Sequence, residues 1–180
     1  RRAGRQFAAH RIGRTTMQIE TDFFPGALGA IAALHGEYYA KHWGFGVFFE
    51  AKGAAELAAF AMRKSDTDLV LLARDDEGLA ASLILDLHDP DSGDRGAHLR
   101  WFIMADRCRG TGLGRQFMTN AMAHADAHAG GASWLTTFAG LHPARALYEA
   151  HGYTLTHEAE GQAWGVSVQE QEFRRGGPAT

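Results

Sequence analysis

RGTGLG, residues 109–114, is a short segment with glycine at every second position. It directly follows an apolar, β-compatible run at 97–104, and from Gly112 onward apolar residues recur every four positions, which predicts a helix. A helix N-terminus exposes backbone N–H groups that have no partner in the helix, and alternating glycines let an anion approach them. The segment begins with Arg109, and Arg107 and Arg115 lie on either side of it, so three positive charges are close together in the sequence. The segment therefore predicts a binding site for a diphosphate.

This glycine pattern has three other interpretations. A Walker loop is excluded, because Gly114 is followed by Arg115 and Gln116 instead of by lysine and a hydroxyl residue. A dinucleotide fingerprint belongs to a first βαβ unit, yet about a hundred residues precede this loop, and the next predicted strand ends at Phe138 without an acidic residue. A flexible turn between strand and helix stays open; it explains the glycines but leaves the arginines unexplained.

Apolar periodicity predicts a mixed α+β order along the rest of the chain, without internal repeats. Before the glycine segment it predicts a strand at 17–20, helices at 28–38 and 49–62, strands at 68–74, 79–87 and 97–104, and a polar surface loop at 88–95. After it come a helix from 112, strands at 133–138, 153–158 and 164–173, and a short helix from 142 to near 152. The turn between the last two strands is predicted at Glu160-Gly161.

Bulk composition restricts the function classes. The chain has 180 residues, 46% of them hydrophobic and 22% charged, and its net charge of −3 gives no electrostatic basis for binding nucleic acid. No apolar run reaches the ~18–20 residues that span a bilayer, so no membrane association is expected. The only cysteine, Cys108, cannot form a disulfide within the chain, which is consistent with a reducing compartment. We expect a cytoplasmic protein.

Residues 1–16 contain five arginines and no acidic residue. Such a stretch is typical of a nucleic-acid arm or an organellar transit peptide, or it is a disordered leader that comes from a tag or a misplaced start. The last interpretation is preferred, because Met17 opens the first predicted strand. The predicted folded domain is therefore 17–180.

Two motifs together carry a family resemblance. The segment 109–114 resembles the Arg/Gln-x-x-Gly-x-Gly/Ala motif with which GNAT acetyltransferases bind acetyl-CoA, and residues 144–153, ARALYEAHGY, are similar to the Ala-x-x-Leu-Tyr-x-x-x-Gly-Phe pattern of that family. Residues 98–103 and 134–141, together with Trp164-Gly165 and Glu170-Gln171, further resemble the acetyltransferase domains fused behind MarR-type regulators.

The resemblance implies an α+β GNAT fold. That fold is a mainly antiparallel sheet of about seven strands, with a central parallel pair that splays to admit the cofactor and helices on both faces. It implies transfer of acetyl from acetyl-CoA to a primary amine of a small molecule or peptide, by direct attack. The alternative function is that of a non-catalytic domain that senses acyl-CoA. The oligomeric state is left open, with a homodimer as one possibility.

Cofactor-binding residues follow from the same resemblance. They are expected at the end of the strand before the loop, in the loop itself and on the short helix: Phe102, Ile103, Met104, Arg109, Gly110, Thr111, Gly112, Leu113, Gly114, Arg115, His142 and Arg145. Backbone N–H groups near Ile103 and Met104 are expected to stabilise the oxyanion. Many members have an asparagine where His142 stands, so His142 either contacts the cofactor or caps the helix before Pro143. Direct attack needs no nucleophile on the enzyme, so Cys108 is a small loop residue.

Catalytic roles are predicted for two side chains. Tyr148 stands at the tyrosine of the family motif and is predicted to protonate the leaving thiolate, the alternative being a core aromatic residue. His98 lies near the position of a glutamate in some members and is a candidate general base; a structural histidine and a water chain are the alternatives. For the acceptor, four ring-bearing residues of the first helix and of the segment that follows it are candidates, unless they only pack on the sheet: His35, Tyr38, Tyr39 and Trp43.

Overall fold

The computed structural model of the chain describes residues 10–12 and 15–176. In chain order the elements are β1 His10–Ile12, β2 Thr15–Glu20, α1 Ala27–Trp43, α2 Val47–Arg63, β3 Leu69–Asp75, β4 Gly78–Asp86, β5 Ala97–Met104, α3 Leu113–His128, β6 Ser133–Phe138, α4 His142–Ala150, β7 Thr154–Gly161 and β8 Val168–Arg175. One 3₁₀ turn, Asp106–Cys108, lies between β5 and the glycine segment. None of the helices in these described ranges is long and apolar enough to cross a membrane.

The strands form one sheet in the order β1-β2-β3-β4-β5-β6-β8-β7. Seven strands, β2 to β8, make up its body, and the three-residue β1 extends one edge. All neighbours are antiparallel except β5 and β6. This parallel pair is joined only at Ala97 with Ser133 and at His98 with Trp134, after which the two strands diverge. The predicted sheet, with its splayed parallel pair, is confirmed.

Helices cover both faces of the sheet, as predicted. Val70 and Leu72 of β3 belong to one buried cluster with Ile31 of α1 and Leu57 of α2. The alternate β3 residues Leu71 and Ala73 point the other way, since successive side chains of a strand face opposite sides. They belong to a second cluster with residues of α3 and α4, namely Leu113, Phe117, Met118, Ala121 and Tyr148.

A β-bulge interrupts β5 just before the glycine segment. On β4, Ser82 pairs with Ile103 and Ile84 pairs with Arg100, so β5 uses one more residue than β4 over this step. Trp101 takes up the extra length with a φ of 46°, which is uncommon for a residue with a side chain. The Ser82 hydroxyl donates a 2.6 Å hydrogen bond to the Trp101 carbonyl. Beyond the bulge, Phe102 packs against the α3 side of the sheet.

The β7–β8 turn and the start of the sheet differ from the sequence prediction, as do the end of α1 at Trp43 instead of 38 and the start of β8 at Val168 instead of 164. β7 continues through Glu160 to Gly161, so the predicted turn at Glu160-Gly161 is wrong and the actual turn lies between β7 and β8, with Trp164 in it. Glutamates hold this turn: Glu160 accepts the Ser167 hydroxyl at 2.8 Å and Glu170 accepts the Ala163 N–H at 2.7 Å. At the other end, β2 begins at Thr15 and pairs with β1, which starts within the predicted leader. Residues 1–9, 13 and 14 of that leader lie outside the described residues.

Candidate active site

A solvent-open cleft lies where β5 and β6 diverge. It holds about 990 Å³ of empty space, a volume that includes open solvent at its mouth. Its walls come from both helical layers, from the two splayed strands and from the β7–β8 turn. The lining includes Ala32, His35 and Tyr39 of α1, Phe49, Glu50, Lys52 and Glu56 of α2, His98 to Phe102 of β5, Leu135 to Phe138 of β6, Tyr148 of α4 and Trp164. The cleft therefore joins residues from distant parts of the chain.

Tyr148 reaches the cleft from the α3 side of the sheet. Its ring packs about equally far from three others, with centroids 6.2 Å from Phe102, 6.1 Å from Tyr153 and 6.2 Å from Phe173, and only 6% of the residue is exposed. Within the described part of the chain, no group hydrogen-bonds its hydroxyl. Burial raises the pKa of Tyr148 above its ordinary value, so the hydroxyl keeps its proton at neutral pH. An unengaged O–H donor thus borders the cleft.

His98 faces the same cleft from β5. Its ring lies flat on Trp134, with centroids 3.6 Å apart, and its Nδ1 lies 2.7 Å from Oδ2 of Asp89. Burial lowers the pKa of His98 and outweighs the opposing effect of Asp89, so the imidazole is neutral at pH 7. The hydrogen bond with His98 holds the pKa of Asp89 well below its ordinary range. A neutral histidine beside an ionised carboxylate is suited to accepting a proton.

Charged side chains extend from this pair to α2. Arg100 lies 3.3 Å from Asp89 through Nη1 and also pairs with Glu56, which in turn pairs with Lys52. Sequence reasoning missed Asp89, Glu56 and Lys52. The four-residue spacing of Lys52 and Glu56 could have indicated a helical ion pair, but the link from Glu56 to the sheet is a tertiary contact without a sequence signal.

Of the four predicted acceptor-binding residues, two line the cleft and two do not. His35 and Tyr39 line the cleft, whereas Tyr38 and Trp43 do not. The Tyr38 ring lies 5.0 Å from the guanidinium carbon of Arg109. The Trp43 ring packs 4.8 Å from Phe138 and covers Gly140, where an added Cβ would come within 2.4 Å of it. Trp43 therefore packs α1 on the end of β6.

The half-buried ring of His35 should make the stability of the protein sensitive to acid. Burial lowers the pKa of His35 from 6.5 to about 4, although its Nδ1 lies 2.8 Å from the Ile31 carbonyl. Between these two pH values the unfolded chain binds a proton that the folded protein does not, so the free energy of unfolding falls as pH drops from 6.5 towards 4. His35→Gln should weaken this dependence in urea denaturation at several pH values. An unaltered pH dependence in His35→Gln, compared with the parent protein, would contradict the assignment.

The glycine segment forms an open cradle at the start of α3. Gly110 and Gly112 have φ values of 73° and 86°, a region that favours glycine, and a Cβ at either would meet nothing within 4 Å. Gly112 is the N-cap of α3, and the helical hydrogen bonds begin with the Gln116 N–H to the Gly112 carbonyl. The Thr111 hydroxyl donates to the Cys108 carbonyl at 2.7 Å and lies 3.4 Å from the Leu113 nitrogen. The next N–H groups, those of Gly114 and Arg115, have no acceptor among the described residues.

The flanking arginines do not all converge on this cradle, which corrects the sequence prediction. Arg107 binds Asp75 with Nε at 2.8 Å and Nη2 at 3.0 Å, and Arg109 lies 3.0 Å from Asp106. Nearby carboxylates engage these two cations. Arg115 is exposed and makes no ion pair within the described ranges. Of the three, it is the cation without an ion pair among the described residues, while the side chain of Arg109 is still 46% exposed.

The other predicted cofactor residues surround the start of α3 or lie on α4. At Gly114 a Cβ would lie 2.9 Å from the Met104 sulfur and 3.7 Å from Phe102, so glycine allows α3 to pack closely on the end of β5. Ile103 is buried. On α4, Arg145 binds Glu149 at 2.8 Å.

Two smaller predictions concern His142 and Cys108. His142 is the first residue of α4 and the N-cap is Leu141, so the capping alternative for His142 is wrong. Cys108 is buried in the core and burial raises the pKa of its thiol, which agrees with a structural residue.

Comparison with known proteins gives one family and many similar folds. The model of the acetyltransferase (GNAT) family matches residues 28–153. A ribosomal-protein-alanine N-acetyltransferase from Brucella melitensis superposes with a TM-score of 0.63 at 16% identity, covering 87% of this chain and 98% of the other. A Salmonella typhimurium protein described as an acetyltransferase, solved with its cofactor acetyl-CoA, gives 0.64 at 15% identity, covering 88% and 92%. A spermidine N-acetyltransferase chimera from Vibrio cholerae and a human enzyme gives 0.61 at 16% identity, covering 88% and 94%. The search of curated proteins returned no match.

Proposed function

Since the chain belongs to the GNAT family of acetyltransferases, which use acetyl-CoA, we propose that it transfers the acetyl group to a primary amine of a small molecule or peptide. The observation that carries the proposal is the shared cleft. Tyr148 and His98 come from different elements and opposite faces of the sheet, yet both line it. One has an unengaged O–H donor, which suits it to stabilise the leaving sulfur, and the other is a neutral imidazole, which suits it to accept a proton from the amine.

The chain's own residues fit acetyl-CoA. The glycine cradle offers open space at Gly110 and Gly112, free N–H groups on the first turn of α3 and the unpaired cation of Arg115, a combination suited to a pyrophosphate. Beyond His98, the edge of β5 that faces β6 has no strand partner. Its backbone groups near Ile103 and Met104 are therefore available to a ligand placed between the strands.

The reaction divides into roles for three sets of groups. Acetyl-CoA supplies the acetyl group as a thioester, whose C–S bond breaks as the C–N bond to the amine forms. The free N–H groups of β5 stabilise the negative charge on the carbonyl oxygen. His98 accepts a proton from the amine nitrogen, and Tyr148 donates a hydrogen bond to the sulfur as it takes up the electron pair. The thiolate then takes a proton from solvent, into which the cleft opens.

A direct test measures thiol release from acetyl-CoA with a panel of primary amines that includes diamines, amino acids and peptide N-termini. We expect release that depends on the amine, with a product heavier than the acceptor by one acetyl group in mass spectrometry. Binding of CoA without turnover of any amine would support an acyl-CoA sensor instead and would refute the proposed transfer.

Further predictions from the sequence await their own measurements. We propose that the protein acts in the cytoplasm and that residues 1–16 are a leader. A homodimer and the likeness to domains fused behind MarR-type regulators are also predictions. Sedimentation of the purified chain tests the homodimer.

A further inference from the structure

One nitrogen of His98 is engaged and the other is not. Nδ1 lies 2.7 Å from the Asp89 carboxylate, and the ring is held flat against Trp134 with an interplanar angle of 17°. Within the described residues Nε2 has no hydrogen-bond partner, and no buried side-chain atom there lacks one, so Nε2 retains contact with open space. His98 lines the cleft. The free nitrogen is therefore the one accessible to a substrate.

Asp89 is itself fixed in place. Its side chain is 4% exposed, Oδ1 accepts the N–H of Asp91 at 2.8 Å, and Oδ2 is shared between His98 and Arg100. An ionised carboxylate accepts hydrogen bonds and donates none, so the Nδ1 that faces it must carry the proton. The neutral ring then has its lone pair on Nε2.

The loop that carries Asp89 is anchored on the ring that His98 stacks against. Trp134 donates from Nε1 to the Ser92 hydroxyl at 2.9 Å, and the guanidinium of Arg95 lies 3.4 Å from the centre of the Trp134 ring. Arg95 also binds Glu172 of β8 at 2.7 Å. Loop, strand and histidine are thus one packed unit, which limits the freedom of Asp89.

We propose that Asp89 is a positioning residue for acetyl transfer: it fixes His98 in the tautomer that carries the Nδ1 proton and presents Nε2 to the acceptor amine. This inference rests on the proposed function, in which His98 takes the proton. The proton passes from the amine nitrogen to Nε2, the imidazolium that forms is stabilised by the Asp89 carboxylate, and the proton later leaves to solvent through the cleft.

Other charges around His98 oppose one another. Asp86 of β4 favours the charged imidazole, although Arg63 of α2 pairs with this aspartate. Arg100 of β5 disfavours the charged imidazole, and Glu56 of α2 pairs with Arg100. Removing the charge of Asp89 alone should therefore lower the pKa of His98 further, since its hydrogen bond is the largest effect that raises it.

Asp89→Asn in the full chain tests the inference, with Asp94→Asn, an exposed position of the same loop, as the matched control. Nitrogen NMR of the labelled free protein should show His98 protonated on Nδ1 in the parent protein. In Asp89→Asn the titration midpoint of His98 should move down by about one pH unit, and kcat should fall by about 10-fold with KM for acetyl-CoA little changed. Asp94→Asn should match the parent protein in all three measurements.

Each outcome decides a different claim. If His98 of the parent protein is protonated on Nε2, the inference is overturned without the use of any variant. The inference can therefore be tested even if Asp89→Asn folds poorly. Unchanged kcat and midpoint in folded Asp89→Asn would overturn it while leaving acetyl transfer intact. A parent protein that turns over no amine would remove the proposed function itself.

Discussion

Replacing Tyr148 by phenylalanine should lower kcat for thiol release by about 100-fold, the lower end of what the loss of one hydrogen-bond donor to developing negative charge costs. The change removes a hydroxyl that no described group engages and leaves the packed ring in place, so the free energy of unfolding should stay the same or rise slightly. KM for acetyl-CoA should change little. Steady-state thiol release and thermal unfolding of the same preparation provide both measurements.

Tyr153→Phe is the matched control. The Tyr153 hydroxyl accepts the buried Ser133 hydroxyl at 2.8 Å, so its loss should cost about 1–3 kcal/mol of stability. Tyr153 does not line the cleft, and kcat should stay near that of the parent protein. Tyr148→Phe should therefore lose activity and keep its stability, whereas Tyr153→Phe should lose stability and keep its activity. A Tyr148→Phe enzyme with full kcat would leave Tyr148 only its alternative role as a core aromatic.

The raised pKa of Tyr148 determines how this residue can assist the departure of the sulfur. A thiol has an ordinary pKa of about 8.5 and a phenol about 10, and burial moves Tyr148 further up. In the free enzyme Tyr148 is thus a weaker acid than the departing thiol. We therefore expect Tyr148 to keep its proton and to donate a hydrogen bond that stabilises charge on the sulfur during bond breaking, instead of protonating the thiolate as the motif predicts.

Local sequence was enough to place the elements that carry the site. The strands β5 and β6 have the predicted limits, 97–104 and 133–138, because each is a run of mainly aromatic, aliphatic and threonine residues that ends beside residues favouring turns or loops. Tyr148 was found through its motif. The periodicity of apolar residues indicates which side chains face the core, and burial of those side chains is what fixes the limits of these two strands.

The partners of the site residues could not be predicted in the same way. The segment 88–95 has the polar composition of a surface loop, yet Asp89 and Ser92 are each only 7% exposed. They are buried because Trp134, on a distant strand, provides a ring and an N–H for this loop. Likewise, the charge of Arg107 predicts a phosphate ligand, but the β3–β4 turn places Asp75 against it. Such contacts depend on strand order, which local patterns do not encode.

Gly112→Ala should weaken CoA binding by about 30-fold, or about 2 kcal/mol. In the free protein an added methyl group at Gly112 meets no atom within 4 Å, so the same open space is available to a phosphate. The methyl group would keep a phosphate away from the free N–H groups at the start of α3, whose bonds to an anion are worth about 1.5–3 kcal/mol each. Calorimetry with CoA measures the affinity without turnover.

Gly130→Ala separates this effect from backbone strain. Gly130 also has a positive φ, 57°, and open space around it, but it lies just beyond the C-terminal end of α3. An alanine in the left-handed region costs about 1–2 kcal/mol at either position, so both variants should lose similar stability. Only Gly112→Ala should lose affinity for CoA. Equal affinities in the two variants would mean that the anion does not bind at the start of α3, and the glycines of 109–114 would then serve only as a turn.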